Sequence, residues 1–337
     1  MALETLRAWI AQGNANTSAY SDLIESLTAE GDPEAAIAVG QQALATLSQD
    51  QQKEFGLHLA FGAAQLKAAQ PPTAFDTLKS LIHDSQNPLL LNEVAYNIAG
   101  ASPPVPQALP LAESAARSAL EQLEKRSETI TLDRNVSTAQ ANSRLIQSVW
   151  DTLGWVYFRE GKLPEAQDYI EASWHGSHGA TEAFHLGEIA LARGDKPAAL
   201  EAFKLALVKE ITYDRSGVRN PPSELEKSTQ QHIDELQKAG VKFNGSPLSS
   251  EERLQDLFKI PLGAANGISG TVEYRLLLKQ GKLLKAQPNG ARELPNAEGL
   301  LGKADFSNLF PANSSVTLLR IGFLNCHADL CEFIQEP

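Results

Sequence analysis

Cysteine, positive charge and long apolar runs are all scarce in this chain, and each scarcity removes a class of protein. The only cysteines are Cys326 and Cys331, whose spacing supplies two metal ligands with no second pair elsewhere, so a structural zinc centre is not expected. Lys plus Arg total 29 against 41 for Asp plus Glu, a net charge of −12 that repels phosphate backbones; nucleic acid is not an expected partner. No apolar run approaches the roughly 20 residues that span a bilayer, so no membrane span is expected. Met1 to Gly13 lacks the basic and apolar regions of a signal peptide. No Ser stands in a Gly-x-Ser-x-Gly elbow, and Gly299-Leu300-Leu301-Gly302-Lys303 lacks both the spacing and the following Ser or Thr of a phosphate loop. No catalytic residue, cofactor or metal is therefore assigned, and the chain is not expected to be an enzyme. What is present, 42% hydrophobic and 21% charged residues over 337 positions, is ordinary globular usage and enough for two or three domains.

Residues 266 to 337 hold seven basic and seven acidic side chains, and residues 1 to 265 hold 22 and 34, so the whole acidic excess lies in the first part. Composition changes at the same place, from Ala, Leu, Gln and Glu to Gly, Pro, Asn and strand-like runs. The expected organisation is a helical array over 1–240, a linker over 241–269 and a small α+β domain over 270–337. Turn chemistry at Phe243-Asn244-Gly245-Ser246-Pro247 and Gly263-Ala264-Ala265-Asn266-Gly267 marks the linker, interrupted by one short helix that a Ser249 to Glu252 capping box opens.

The array shows an internal period. Trp150-Asp151-Thr152-Leu153-Gly154-Trp155-Val156-Tyr157 leads to Glu160-Gly161-Lys162 and Pro164-Glu165-Ala166; about 33 residues on, Phe184-His185-Leu186-Gly187-Glu188 leads to Arg193-Gly194-Asp195, Ala199 and Phe203. Small residues at Gly154 with Ala166, and Gly187 with Ala199, let two antiparallel helices approach, while Trp150, Leu153 and Tyr157 form one apolar stripe. Weaker copies carry Tyr20, Leu23, Ala36 and Ala43, then Phe61-Gly62, Ala74 and Leu78, then Asn92 to Ala99 with Ala112 and Ala119, about five in all. Glu121 to Gln147 fits no copy. Ser223 to Gly240, with the stripe Leu225, Ile233 and Leu236, reads as a capping helix. The pattern resembles the tetratricopeptide repeat, and this resemblance implies a mostly α fold, a right-handed α-solenoid. It also implies a concave face that binds a protein or peptide through Asp151, Trp155, Phe158 and Arg159 in one copy and Phe184, Glu188 and Leu191 in the next. Repeat packing is expected from Leu153, Gly154, Tyr157, Ala166, Leu186, Gly187, Ala199 and Phe203. The alternative is that Trp155 and Phe158 are buried by neighbouring repeats. Asp151 and Trp155 stand where the carboxylate-clamping subset of the family places Lys or Asn, which argues against chaperone-tail binding.

After Gly270 the period becomes two: Val272, Tyr274, Leu276 and Leu278 point one way. Gln280-Gly281 turns the chain into a hairpin, Ala297 to Ala304 is a short helix, and Val316 to Asn325 and Glu332 to Gln335 complete a ββαββ order. This module resembles the C-terminal domain of TonB-type energy transducers, and the combination resembles bacterial repeat proteins in which it ends a longer polypeptide. That implies docking to an envelope protein, and an export signal or catalytic domain upstream of Met1; a true start at Met1 implies a cytoplasmic protein. Cys326 and Cys331 at the ends of facing strands fall within disulfide reach, implying an oxidising compartment such as the periplasm. Two reduced thiols, a zinc site with His327 and a catalytic cysteine are the alternatives. Trp174-His175-Gly176-Ser177-His178 with His185 reads as a solvated inter-repeat loop in preference to a metal site. The expected function is a non-catalytic interaction scaffold; the alternative is the regulatory or docking part of a larger hydrolase or transglutaminase-like enzyme.

Overall fold

A computed structural model describes residues 2–12, 16–68, 70–82, 85–101, 104–213, 222–242, 249–327 and 329–336. The expected Phe243-to-Pro247 turn lies outside them. The chain divides into two compact units, 1–122 with 155–161, and 123–154 with 162–337. Unit 1 contains α1 (Ala2–Ala11), α2 (Thr17–Ala29), α3 (Pro33–Thr46), α4 (Gln49–Gln52), α5 (Phe55–Lys67), α6 (Pro71–Ile82), α7 (Pro88–Ala99) and most of α8 (Leu109–Ser127). The 24-residue α9 (Val136–Arg159) gives its last turn to unit 1 and the rest to unit 2. Unit 2 continues with α10 (Leu163–Ser177), α11 (Ala180–Ala192), α12 (Lys196–Tyr213), α13 (Glu224–Lys238) and α14 (Ser250–Leu257). It ends in β1 (Lys259–Ala264), β2 (Gly270–Lys279), β3 (Lys282–Pro288), α15 (Ala297–Leu301), β4 (Thr317–His327) and β5 (Leu330–Gln335). The chain is thus mostly helical, with a C-terminal five-stranded antiparallel sheet of order β1-β5-β4-β2-β3. Among the described residues no helix is long and apolar enough to cross a membrane.

Small residues set the helix crossings where the sequence places them. A Cβ on Gly62 would stand 2.6 Å from Leu78 Cδ2, on Gly154 2.5 Å from Ile170 Cγ1, and on Gly187 2.5 Å from Phe203 Cε1. Each partner lies 16 residues downstream of its glycine, on the second helix of the same hairpin. The α2–α3 hairpin inverts the arrangement, with fully buried Ile24 at the glycine's place and Gly40 at the partner's. Gly40 in turn receives the Phe61 ring of α5. Unit 1 gathers Tyr20, Leu23, Ile24, Ala36, Leu57 and Phe61 into one core around these crossings. Between hairpin helices the chain turns through Gly161 and Gly194, at φ of 79° and 81°, the left-handed region in which a side chain is penalised.

Several sequence expectations change. The linker contains a strand: β1, within the segment read as 241–269, pairs antiparallel with β5 and makes the order βββαββ. Pro261 and a bulge before Gly263 are tolerated there because β1 is an edge. Glu121 to Gln147, which fits no repeat, ends α8 and begins α9, and it carries the sheet. β5 accompanies β4 only from Gly322 to His327, which leaves N–H groups on the near half of that edge. Ser127 Oγ accepts from the Thr317 N–H at 3.1 Å and Ser143 Oγ from the Leu319 N–H at 2.9 Å. Leu132 and Ala139 pack on Leu319, and the Leu132 carbonyl accepts from Arg275 at 3.0 Å. The sheet therefore shares unit 2 with the helices, and the compact division falls at residue 122, away from the expected 240 and 270.

Candidate protein-binding face

The residues expected to line a binding wall fall on the first helices of successive hairpins, and the structure gives most of them partners within the chain. Asp151 is buried on α9, with Oδ1 2.8 Å from Nδ1 of buried His185 on α11. Its neighbour Glu182 has a carboxyl pKa raised first by burial and then by Asp151, and accepts from Ser177 Oγ at 2.7 Å. Asp151 thus joins two helices across an interior polar cluster and is not surface, a correction to its expected role. Trp155 is also buried, its indole stacked on Phe158 with centroids 4.6 Å apart. Arg159 lies 6.0 Å from the same ring and donates to the Ala101 carbonyl at 2.9 Å, just beyond the C-terminus of α7. Tyr157, expected in packing, is buried and accepts from Arg117.

On α11 the expected face is covered by the capping helix. Phe184 lies 5.5 Å from Phe203 and 5.9 Å from His232 of α13, and His232 stacks on Phe203 at 4.6 Å. His232 Nε2 is 2.7 Å from Glu188 Oε1, and that hydrogen bond raises the imidazole pKa. Leu191 packs on the cluster of Ala199, Leu200, Phe203, Ile233 and Leu236. Phe184, Glu188 and Leu191 therefore meet the chain's own α13. Of the packing residues, Leu153, Ala166, Ala199 and Phe203 are fully buried, Gly154 and Gly187 sit in the crossings, and Leu186 is half-buried against Trp174 and Leu254.

The histidine tract is not a solvated loop. His175 lies inside α10, and His178 ends it at φ 48°, ψ 40°, its N–H bonded to the Trp174 carbonyl at 2.8 Å. The His178 ring is 4.3 Å from Phe258 and 5.2 Å from Trp174, and burial pushes its pKa down to about 3. The three histidines do not converge, since His185 belongs to Asp151. Cys326 and Cys331 are cross-register neighbours on β4 and β5 and form a disulfide, both sulfurs inside the sheet's core.

Two features escape sequence reading. Arg320, in an apolar β4 pattern, is buried, donates to the Gly176 carbonyl, and faces the Gln147 side-chain amide, whose oxygen accepts from it at 2.7 and 3.1 Å when the amide is turned to suit. Burial lowers its pKa to about 10. The other is α7, where Leu89 and Tyr96 are 47% and 42% exposed. The run Pro88-Leu89-Leu90-Leu91 hides which leucine points outward; only the seven-residue spacing to Tyr96 marks the face.

No family profile matches this sequence, and no curated protein matches it. Among solved structures, the chain is similar to a tetratricopeptide repeat protein from Parabacteroides merdae ATCC 43184, at 16% identity, over 70% of this chain and 91% of that one, with a TM-score of 0.35. A likeness that loose carries no functional weight.

Proposed function

We propose that the chain is a non-catalytic scaffold that binds a protein or peptide partner along the first helices of its hairpins. The observation that supports it is the pair of large apolar side chains, Leu89 and Tyr96, left exposed on a first helix whose opposite face is fully buried. Within unit 1, the close Gly62–Leu78 crossing supports a packed scaffold that holds such a surface in place. The disulfide supports an oxidising, extracytoplasmic setting. A TonB-like, bacterial-envelope role for the sheet stays part of this reading on the β2-β3-α15-β4-β5 succession alone, to which β1 is an addition. Strand addition is disfavoured as its docking mode, since edge β1 carries Pro261 and a bulge, and edge β3 carries Lys282, Lys285, a bulge and Pro288.

Photo-cross-linking decides the binding face. Benzoylphenylalanine at Ala63, Tyr96 or Phe158, on first helices, is expected to capture a partner from the native host; at Lys79 or Glu165, on second helices, it is not. Adducts from the second helices alone, or from neither set, reject the proposal.

A further inference from the structure

The partner's chemistry, which rests on the binding reading above, follows from the residues of α7. Leu89, Glu93 and Tyr96 stand at i, i+4 and i+7, one face of the helix. Leu89 and Tyr96 are exposed, while Glu93 between them is half-buried. Burial raises the Glu93 carboxyl pKa, and among the described residues no cation is paired with it. A half-buried carboxylate with no counter-charge of its own on an exposed helix face is placed to pair with a cation from outside. On the same face Asn92 is buried with Oδ1 accepting nothing among the described residues. The surrounding field has the same sign. Unit 1 holds six basic and fourteen acidic side chains, a net −8 of the chain's −12. Elsewhere in unit 1, Glu25 on α2 also has its pKa raised, by burial and then by Asp22. Past the end of α7, Arg159 of the same unit donates to the Ala101 carbonyl.

We propose that α7 docks a segment of another protein in which two apolar side chains flank a lysine or arginine, the apolar pair packing on Leu89 and Tyr96 and the cation completing Glu93. A second copy of this acidic chain and an anionic membrane are both opposed by the same charge.

Two synthetic peptides test the assignment on the full chain by fluorescence anisotropy, one with leucines flanking a central lysine and its twin with glutamate in the lysine's place. The lysine peptide is expected to bind at least about tenfold more tightly, and raising the salt narrows the gap. Glu93→Gln is expected to remove most of that preference. Leu89→Ser is expected to weaken the lysine peptide severalfold with the melting temperature unchanged, since Leu89 is exposed. Equal affinities, an undiminished preference in Glu93→Gln, or no binding of the lysine peptide to the wild type overturns the inference. In the last case, continued cross-linking from first helices leaves the scaffold reading intact, and loss of both removes it as well.

Discussion

Adding a single methyl group at Gly154 sets two opposing quantities against each other. Alanine is a better helix former than glycine by about 0.8–1 kcal/mol, so Gly154→Ala in an isolated helix stabilises. In this fold the new Cβ would stand 2.5 Å from Ile170 Cγ1, 3.2 Å from Ile170 Cδ1 and 3.1 Å from the Ala166 carbonyl oxygen. The first two belong to a fully buried side chain and the third to backbone, so α9 and α10 must separate, an overpacking that costs roughly 1–3 kcal/mol. The net expectation is a loss of about 1 kcal/mol, read by urea unfolding as a lowered midpoint at unchanged slope. The same change at Gly187, against the flat Phe203 ring at 2.5 to 2.8 Å, is relieved by Phe203→Leu. In a double-mutant cycle that pair is expected to couple by more than about 0.5 kcal/mol. A Gly154→Ala protein more stable than wild type by the full propensity difference would show that the helices do not meet there and would refute the account of the repeat.

Ser127→Ala together with Ser143→Ala strands two buried strand N–H groups and is expected to destabilise unit 2 by roughly 1–3 kcal/mol per group, seen as earlier hydrogen exchange at Thr317 and Leu319. His178, with a folded pKa of about 3 below its unfolded value of 6.5, binds a proton more readily when unfolded. Stability should therefore fall as pH drops from about 6.5 towards 3, by up to roughly 1.4 kcal/mol per pH unit, and His178→Asn should flatten that limb of a melting-temperature profile. His232 has the opposite sign: its raised pKa contributes stability that is complete below 6.5 and lost as pH rises through the higher folded value, a slope absent in Glu188→Gln. Reducing Cys326–Cys331 should lower stability by about 2 kcal/mol on the loop-entropy estimate, measured by denaturation with and without reductant.

The fold is legible in the sequence where a periodic pattern and local geometry agree. Gly154 and Gly187 could be placed at crossings because their spacing to a downstream partner is fixed by helix pitch and hairpin length. The alternation of Val272, Tyr274, Leu276 and Leu278 gave β2, and Ser249 with Glu252 gave the start of α14, where both capping bonds are made. Legibility ends where the deciding partner is distant in sequence. Nothing near Asp151 announces His185, and nothing near Leu191 announces that α13 returns over it. β1 is not legible because it is short, holds Pro261 and runs into the turn residues Gly263 to Gly267, and only the β5 edge makes it a strand. Glu121 to Gln147 looked anomalous as a repeat because its apolar residues serve the sheet. Ligand positions taken by offset from the resembled repeat fall on α9 and α11, whereas exposure, a tertiary property, singles out Leu89 and Tyr96 on α7.

The serine bonds from α8 and α9 into β4 bind the C-terminal strands to a corner of the chain some 180 residues earlier. Severing the polypeptide before β1 would uncover Leu132 and Ala139 on one fragment and Leu319 on the other, together with two donors that water would have to solvate. Neither half is then a tidy module, and the strands cannot act as a tethered arm that reaches out while the helices stay behind. During synthesis the corner must wait, apolar and unfilled, until β4 has been made, which leaves the helices on either side of it exposed to misassembly in the meantime.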